Sequence, residues 1–387
     1  MHCSIFSMPI KPASYKPENL NRKAPLFIGS DVYRRPAFGR NHPLSISRHG
    51  AVIDIARALG WLPDGRYRES PTASEEALSA YHDPRYVKAL KEADAAGAVS
   101  AEIRERYRFG TMENPLFPDL FERASTTVGG SILAAAEALK GRAVFSPGGG
   151  THHGRKDQAS RFCYFNDPVF AILKLLEGGQ ERVAYVDLDA HHGDGVEAAF
   201  AGDHRVRLVS IHEENRWPYT GTATDRAADN VLNLPVPSGF HDNELYYLLD
   251  NALTPFLDRH SPQAVVVTCG ADALDGDPLS KMALSNAALQ QAVTGLVDQI
   301  PAAVVLGGGG YNPWTTVRCW AGLWGKIAGF ESPRELPVQA RDILANFECD
   351  LVDEDDMRDE WLETLDDQPR DLPVRESVKE IANALLR

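Results

Sequence analysis

The sequence VAYVDLDAHHGDG, residues 183–195, joins a short apolar run to a cluster of acidic residues and histidines. The run Val183 to Val186 is apolar throughout, which is typical of a strand buried on both faces of a parallel sheet. In an extended chain, residues i, i+2 and i+4 share a face, so Asp187, Asp189 and His191 can converge on one point. The stretch predicts a strand that ends in a polar site. Turn residues that cap a following helix are the alternative interpretation.

Outward from this segment, four more short runs have the same apolar, β-branched character: 143–146, 206–211, 264–268 and 302–306. Longer amphipathic stretches lie before or between these runs, at about 119–139, 167–177, 244–259 and 286–300. Strands that alternate with helices at this spacing predict a three-layer α/β/α architecture with a central, mostly parallel sheet. The predicted fold class is therefore α/β, with an active site at the carboxyl ends of the strands.

Polar residues follow each of the five predicted strands, at the edge where ligands of open α/β sheets bind. They are His152 and His153, the segment 187–194, Ser210 to His212, Asp272 and Tyr311. Asp272, from a neighbouring strand end, would join Asp189 and His191 in a three-ligand site. Three protein ligands with an open position are typical of catalytic Zn²⁺, and the same donors accept Fe²⁺.

Two further features of this edge predict catalytic groups. His152 and His153 are adjacent, so their side chains diverge, and Asp187 and Asp194 are available to hold one each. Tyr311 follows four glycines and can donate a hydrogen bond to an oxyanion beside a metal. A hydrogen-bonded core histidine and a core or surface tyrosine are the alternatives. Neither glycine-rich loop continues as Gly-Lys-Ser/Thr, so phosphate binding is not expected.

Composition and charge exclude several classes of protein. The 387 residues carry a formal net charge of −14, and residues 348–367 contain 11 acidic residues and one basic residue, Arg358. This charge disfavours direct nucleic-acid binding. No apolar run approaches the length of a membrane span, and the five cysteines lack the spacing of a disulfide framework or a zinc finger. We therefore expect no membrane partner, a reducing compartment and a cytoplasmic location.

The whole chain, residues 1–387, is predicted to form one catalytic domain. The core would cover about 25–330, and residues 331–387 would form an acidic helical extension packed on that core. Apolar residues recur at helical spacing near the C-terminus, which favours docking of the last segment: Val378, Ile381 and Leu385.

Taken together, the motifs resemble those of the histone deacetylase superfamily. The matching segments follow the family order across about residues 25–330: His152 to Gly154, Arg161 to Asn166, Val186 to Gly195, Gly270 to Asp272, Gly307 to Asn312 and Arg318 to Trp320. The last of these, with Asn114 to Phe117 and Gly129-Gly130, is similar to the class I branch. The chain looks most like bacterial acetoin-utilisation-type deacetylases, and the resemblance implies an arginase/deacetylase-like fold.

The resemblance implies two cation sites. Asp189, His191 and Asp272 would be the ligands of Zn²⁺, with Fe²⁺ as the alternative metal. A structural K⁺ would lie close to the zinc. Its implied site consists of Asp187, Asp189, His191, Ser210 and Ile211.

The same resemblance implies the catalytic roles. His153 would be the general base and acid, oriented by Asp194. His152 would be its partner, backed by Asp187, and Tyr311 would polarise the substrate carbonyl.

A tunnel for acyl-lysine is also implied, with Phe162 and Trp217 as its aromatic walls. Glu113 would grip the substrate backbone at the rim, and Arg48 would lie at an internal cavity below the zinc. The implied lining of the tunnel and rim is completed by Arg161, Leu279 and Gly309.

Three departures from the family pattern lie beside this tunnel. Arg161 stands where the family usually has glycine, so its side chain could narrow the channel, pair with an acidic group or turn away. The segment His212 to Tyr219 is shorter than the class I loop. Thr151 and three glycines precede the tandem histidines where many relatives have Pro-Pro-Gly.

The sequence thus predicts a zinc-dependent amidohydrolase that removes an acyl group, above all acetyl, from the ε-amine of lysine or from a related small amine. An acetylpolyamine deacetylase with the same chemistry is one alternative. A binuclear manganese ureohydrolase is a second, and it would have to recruit Asp187, Asp194, Asp275 and Asp277. A catalytically impaired, metal-stabilised binding protein with Arg161 plugging the tunnel is a third. The oligomeric state is left open.

Overall fold

The computed structural model describes residues 22–38, 42, 44, 47–223 and 228–383. In this part of the chain, eight strands form one sheet in which all neighbouring strands are parallel. The strands are β1 (Lys23–Gly29), β2 (Tyr67–Glu69), β3 (Arg142–Ser146), β4 (Val183–Asp187), β5 (Val206–Glu213), β6 (Val231–Val236), β7 (Ala264–Thr268) and β8 (Ala302–Leu306). Their order in the sheet is β2-β1-β3-β8-β7-β4-β5-β6, and it confirms the predicted α/β class.

The five predicted strands are β3, β4, β5, β7 and β8, which form the centre of the sheet with β1 and β6 on either side. Three strands were not predicted. β2 has only three residues and two of them are exposed, while β6 contains Asn233 and Pro235 within its apolar run. A proline is accepted in β6 because this strand lies at an edge of the sheet.

Helices cover both faces of the sheet. They are α1 (Arg48–Ala58), α2 (Glu75–Leu78), α3 (Pro84–Ala96), α4 (Ala101–Tyr107), α5 (Leu120–Ala138), α6 (Asp167–Glu177), α7 (Asp194–Phe200), α8 (Asp242–Leu248), α9 (Thr254–Asp258), α10 (Asn286–Gln299), α11 (Pro313–Ala328), α12 (Val338–Ala345), α13 (Glu360–Glu363) and α14 (Glu376–Asn383). Among the described residues, no helix is both long enough and apolar enough to cross a membrane.

The helix predicted at about 244–259 is present but irregular. It begins at Asp242, and a π-turn, Leu249–Leu253, separates α8 from α9. Pro255 explains the irregularity, because a proline inside a helix lacks an N–H and its ring collides with the carbonyl four residues earlier. A wider turn at that place relieves the collision.

Neighbouring side chains of the central strands point to opposite helical layers. Val144 of β3 packs in the core beneath α5 and α6, whereas Phe145 packs in the core beneath α1, α10 and α11. The same alternation places Val266 of β7 in the first core and Val267 in the second. Because both faces are covered, the strands are apolar throughout, as the sequence indicated.

Residues 331–383 pack against this body. Trp361 of α13 is buried and stacks on Trp314 of α11, with 6.3 Å between ring centroids. The fully buried Arg318 forms a 2.8 Å ion pair with Asp367, and Val378 of α14 is buried. These contacts dock the extension on the body, and the single catalytic domain stays a prediction. Leu385 lies outside the described residues.

The Trp361→Ala substitution is expected to destabilise the protein by about 3–5 kcal/mol, because it removes a large buried side chain and leaves a cavity. Chemical denaturation followed by circular dichroism measures this loss. Leu372→Ala is the matched control, since Leu372 lies in the same extension but is 48% exposed. A loss below about 1 kcal/mol for Trp361→Ala would show that the extension contributes little to stability.

Candidate metal and catalytic site

The polar segments predicted from the sequence converge at one edge of the sheet. The strands β3, β8, β7 and β4 are consecutive neighbours, and all end at this edge because they are parallel. The loops that follow them carry the tandem histidines, the four glycines with Tyr311, Asp272 and the Asp-rich segment after β4. The sheet order therefore brings together residues that are up to 159 positions apart, from His152 to Tyr311.

Asp189, His191 and Asp272 form a compact buried cluster. One ligand atom from each lies within 4.8 Å of the others, and among the described residues no other group of three or more such side chains meets this condition. His191 Nδ1 lies 2.9 Å from Asp272 Oδ2 and 3.2 Å from Asp189 Oδ1. His191 Nε2 is buried and has no hydrogen-bond partner. Two carboxylates and the imidazole nitrogen beside them are a donor set that fits Zn²⁺ or Fe²⁺.

Backbone groups hold the two carboxylates in place. The Gly309 N–H donates to Asp189 Oδ2 at 2.6 Å, and the Ala190 N–H donates to Asp272 Oδ1 at 3.0 Å. Burial, followed by the nearby Asp189, raises the pKa of the Asp272 carboxyl. Burial opposes the charged form of His191, but the two aspartates outweigh it and raise its pKa to about 9. The cluster thus requires a positive charge, which a divalent cation supplies.

Each of the tandem histidines has its own carboxylate, as predicted. His152 Nδ1 lies 2.7 Å from Asp187 Oδ2, and His153 Nδ1 lies 2.8 Å from Asp194 Oδ1. Burial favours the neutral form of His152, yet Asp187 and then Asp189 overcome it and raise its pKa to about 10. Burial, together with the charge of His152, lowers the pKa of His153 to about 3. His153 is therefore the neutral member of the pair.

Arg155 was not predicted, although it belongs to this group. It forms an ion pair with the Asp194 carboxylate and donates to the Asp194 carbonyl at 2.9 Å. Arg155 thus holds Asp194 in place, and Asp194 in turn holds His153. The sequence did not indicate this contact, although Arg155 lies two residues after His153. One basic residue in a loop is common, and its partner lies 39 positions away.

Tyr311 lies in the same buried cluster. Its ring faces that of His191, with 6.4 Å between the centroids. Burial, and then the charge of Asp272, raise the pKa of the phenol well above its usual value. The hydroxyl therefore keeps its proton, as a hydrogen-bond donor must.

Asp277 holds the backbone beside Tyr311, a role that the sequence did not reveal. Its Oδ2 accepts hydrogen bonds from the N–H groups of Tyr311 at 2.7 Å and Asn312 at 3.3 Å. Burial, reinforced by the Asp272 charge, raises its pKa to about 7. The ureohydrolase alternative needed this residue as a metal ligand. Among the described residues, all four aspartates proposed for that purpose are already engaged: Asp187 and Asp194 by histidines, Asp275 by arginines and Asp277 by backbone N–H groups.

The Asp277→Asn substitution is expected to lower kcat about tenfold, because a carboxamide replaces one acceptor oxygen with a donor that faces two N–H groups. Metal content and KM are expected to stay close to wild type, since Asp277 touches Tyr311 and not the metal cluster. Asp275→Asn is the matched control, because Asp275 pairs with Arg358 and Arg370 instead. If Asp277→Asn lowered the thermal stability and raised KM together with the loss of kcat, Asp277 would have a merely structural role.

The residues predicted for K⁺ are adjacent in the sheet. Asp187 of β4 and Ser210 of β5 are paired in register, and Ile211 follows. Asp187 Oδ1 accepts from the Asp189 N–H at 3.1 Å, and Ser210 Oγ lies 2.9 Å from His212 Nδ1. The register brings the proposed ligands together, and the K⁺ site stays a prediction.

A cavity of about 120 Å³, which we call the site cavity, extends over the cluster. Of the predicted residues it is lined by Arg48, His152, His153, Arg161, Phe162, Asp189, His191, Gly309 and Tyr311. Arg48 donates to the carbonyls of Gly308, at 3.0 Å, and Gly310. Two unpredicted residues, Tyr33 and Arg123, also line the cavity.

Three predicted tunnel or rim residues do not line the site cavity: Glu113, Trp217 and Leu279. Trp217 still approaches the catalytic pair, because its ring lies edge-on to His153 at 4.7 Å. Glu113 is exposed. Leu279 donates its N–H to Asp277 at 2.9 Å and accepts from Arg216 at 2.6 Å, so it contributes backbone contacts behind the Tyr311 loop.

Comparison with known proteins agrees with the family resemblance of the sequence motifs. A family model described as the histone deacetylase domain matches residues 42–327. The acetoin utilization protein AcuC of Bacillus subtilis strain 168 is 32% identical over 336 residues, which are 81% of this chain and 84% of that protein. Histone deacetylase 8 of Xenopus tropicalis is 34% identical over 299 residues, covering 75% of this chain and 80% of that protein.

Two solved structures resemble this fold closely. One is a crystal structure of an HDAC homologue complexed with SAHA, with a TM-score of 0.88 and 33% identity, covering 93% of this chain and 99% of that one. The other is an HDAC homologue from Aquifex aeolicus, with a TM-score of 0.87, 34% identity and the same coverage.

Proposed function

Because the chain belongs to the histone deacetylase family, we propose that it is a metal-dependent hydrolase that removes an acyl group from an acylated amine. The observation that carries this proposal is the convergence of Asp189, His191 and Asp272 within 4.8 Å, beside a cavity that Asp189 and His191 line. His153 and Tyr311 line the same cavity. The proposed metal is Zn²⁺, with Fe²⁺ as the alternative, and the proposed site of a structural K⁺ includes the Asp187–Ser210 pair.

A metal bound by the three residues would polarise the amide carbonyl and lower the pKa of a water molecule. His153 takes the proton of the attacking water at Nε2, because Nδ1 is engaged by Asp194. Tyr311 donates its O–H to the oxyanion of the tetrahedral intermediate. A protonated histidine then gives its proton to the leaving nitrogen as the C–N bond breaks, so that the amine departs neutral. The products are a carboxylate and an amine.

Membership of the family supports an acylated substrate. An acetylated lysine side chain in a peptide or protein is the first proposal, and a small acylated amine is the second. We further propose that the protein acts in the cytoplasm and needs neither nucleic acid nor a membrane as partner.

The test is deacylation by the full-length protein loaded with one equivalent of Zn²⁺. The panel contains acetyl-, propionyl- and succinyl-lysine peptides, acetylpolyamines and a guanidino substrate, and metal content and hydroxamate binding are measured in parallel. Turnover with about one transition metal per chain supports the proposal. Two metals per chain with hydrolysis of a guanidino substrate would favour a ureohydrolase. Hydroxamate binding without turnover of any amide would favour a binding protein.

A further inference from the structure

Arg161 and Phe162 occupy the two central positions of a tight turn at the wall of the site cavity. Ser160 and Cys163 exchange backbone hydrogen bonds of 3.1 and 2.9 Å across the turn, and φ is +40° at Arg161 and +65° at Phe162. Turns of this kind normally use glycine or asparagine, because a Cβ is strained at positive φ. The side chain of Asn114 holds the turn by accepting from the Phe162 N–H at 2.8 Å. A strained residue kept at a cavity wall points to a function for its side chain.

The guanidinium group of Arg161 has an aromatic neighbour but no counter-ion. Its Cζ lies 4.7 Å from the ring centroid of Trp217. Its Nε is buried without a hydrogen bond, and it forms no ion pair with any carboxylate of the described residues. A cation–π contact leaves the positive charge uncompensated, so a negatively charged group placed beside the guanidinium would be attracted to it. The cavity wall therefore carries a positive charge that an anion would stabilise.

The acidic groups nearby do not balance this charge. Asp189 and Asp272 belong to the proposed metal site, and Asp194 is already shared by a histidine and an arginine. Glu113 is exposed and pairs with none of the described basic residues. Arg48 adds a second cation to the lining of the same cavity. The lining of the site cavity thus includes arginines that these carboxylates do not balance, although the whole protein is acidic.

On the basis of the proposed hydrolysis of acylated amines, we propose that Arg161 determines substrate specificity: it selects amines whose alkyl chain ends in a carboxylate and excludes those whose chain ends in an ammonium group. The guanidinium lies against Trp217, whose ring also contacts His153. In the proposed hydrolysis, the alkyl chain that follows the scissile nitrogen would pass this charge. Acetylpolyamines, which keep ammonium groups on that chain, form the disfavoured class.

Three acetamides with the same chain of five methylene groups test this inference. They end in a carboxylate, a methyl group or an ammonium group. For the Zn²⁺-loaded wild-type protein, kcat/KM is expected to be highest for the carboxylate and at least about tenfold lower for the ammonium compound, with a smaller ratio at high salt. Arg161→Gln is expected to bring the ratio close to one, whereas Arg161→Lys keeps the order. Arg205→Gln is the control, because Arg205 pairs with Asp203 at the opposite edge of the sheet.

Hydroxamates with the same three tails give a second readout that does not require turnover. Their dissociation constants, measured by calorimetry, are expected to follow the same order in the wild-type protein and to lose it in Arg161→Gln. An unchanged order in Arg161→Gln, or preference of the wild-type protein for the ammonium tail, overturns the role of Arg161. Absence of turnover for every amide contradicts the proposed function instead, and the hydroxamate order then still decides whether Arg161 selects charge.

Discussion

Replacing Tyr311 with phenylalanine is expected to slow hydrolysis about 10²–10³-fold, the usual effect of removing one donor to an oxyanion. The phenol is 7% exposed and lines the site cavity, and burial keeps its proton in place by raising the pKa. Phenylalanine preserves the ring that faces His191 and removes only the O–H. Because the substitution leaves Asp189 and Asp272 untouched, metal content is expected to equal that of the wild-type protein.

The measurement is kcat on an acetyl-lysine peptide, with metal analysis of the same preparations. Tyr219→Phe is the matched control, since Tyr219 is 73% exposed and its hydroxyl faces solvent. Both variants lose one phenolic oxygen, so only the position of that oxygen differs. Activity of Tyr311→Phe within about twofold of wild type would exclude Tyr311 as the oxyanion donor.

Asp272→Asn is expected to weaken metal binding by at least about 100-fold and to abolish activity, because it replaces a charged ligand with a neutral one. Its effect on stability depends on the metal. In wild-type protein, a metal at about 1,000 times its dissociation constant adds about 4 kcal/mol to the free energy of unfolding. The variant is expected to lose this gain.

Without metal, the same variant is expected to be at least as stable as the wild-type protein. Asp272 and Asp189 are buried like charges, and burial together with Asp189 raises the pKa of Asp272, so neutralising one of them relieves repulsion. Thermal unfolding of both proteins, with and without Zn²⁺, measures the two effects, with Asp275→Asn as the control. Equal stabilisation of wild type and Asp272→Asn by Zn²⁺ would place the metal elsewhere.

Much of the site could be predicted from local sequence because its parts are carried by strand ends. β3, β4, β7 and β8 are apolar runs followed within six residues by the polar residues of the site, and in a parallel sheet such ends meet at one edge. The need of an imidazole for a carboxylate predicted one aspartate for each tandem histidine, and the family resemblance implied the pairs His152–Asp187 and His153–Asp194. The edge strand β6 was missed because Asn233 and Pro235 interrupt its apolar pattern.

The sequence by itself determined the fold class, the edge of the sheet that carries the chemistry and the residue types at the metal cluster, because these depend on periodicity and on strand direction. Only the tertiary structure decided how the surrounding residues act. Asp277 supports the Tyr311 loop, Arg155 supports Asp194, and Arg161 faces the cavity. The direction of a side chain such as Arg161 depends on a turn with positive φ and on Trp217, 56 residues later in the chain. Contacts between distant segments produce no periodic pattern in the sequence, so they could not be predicted from it.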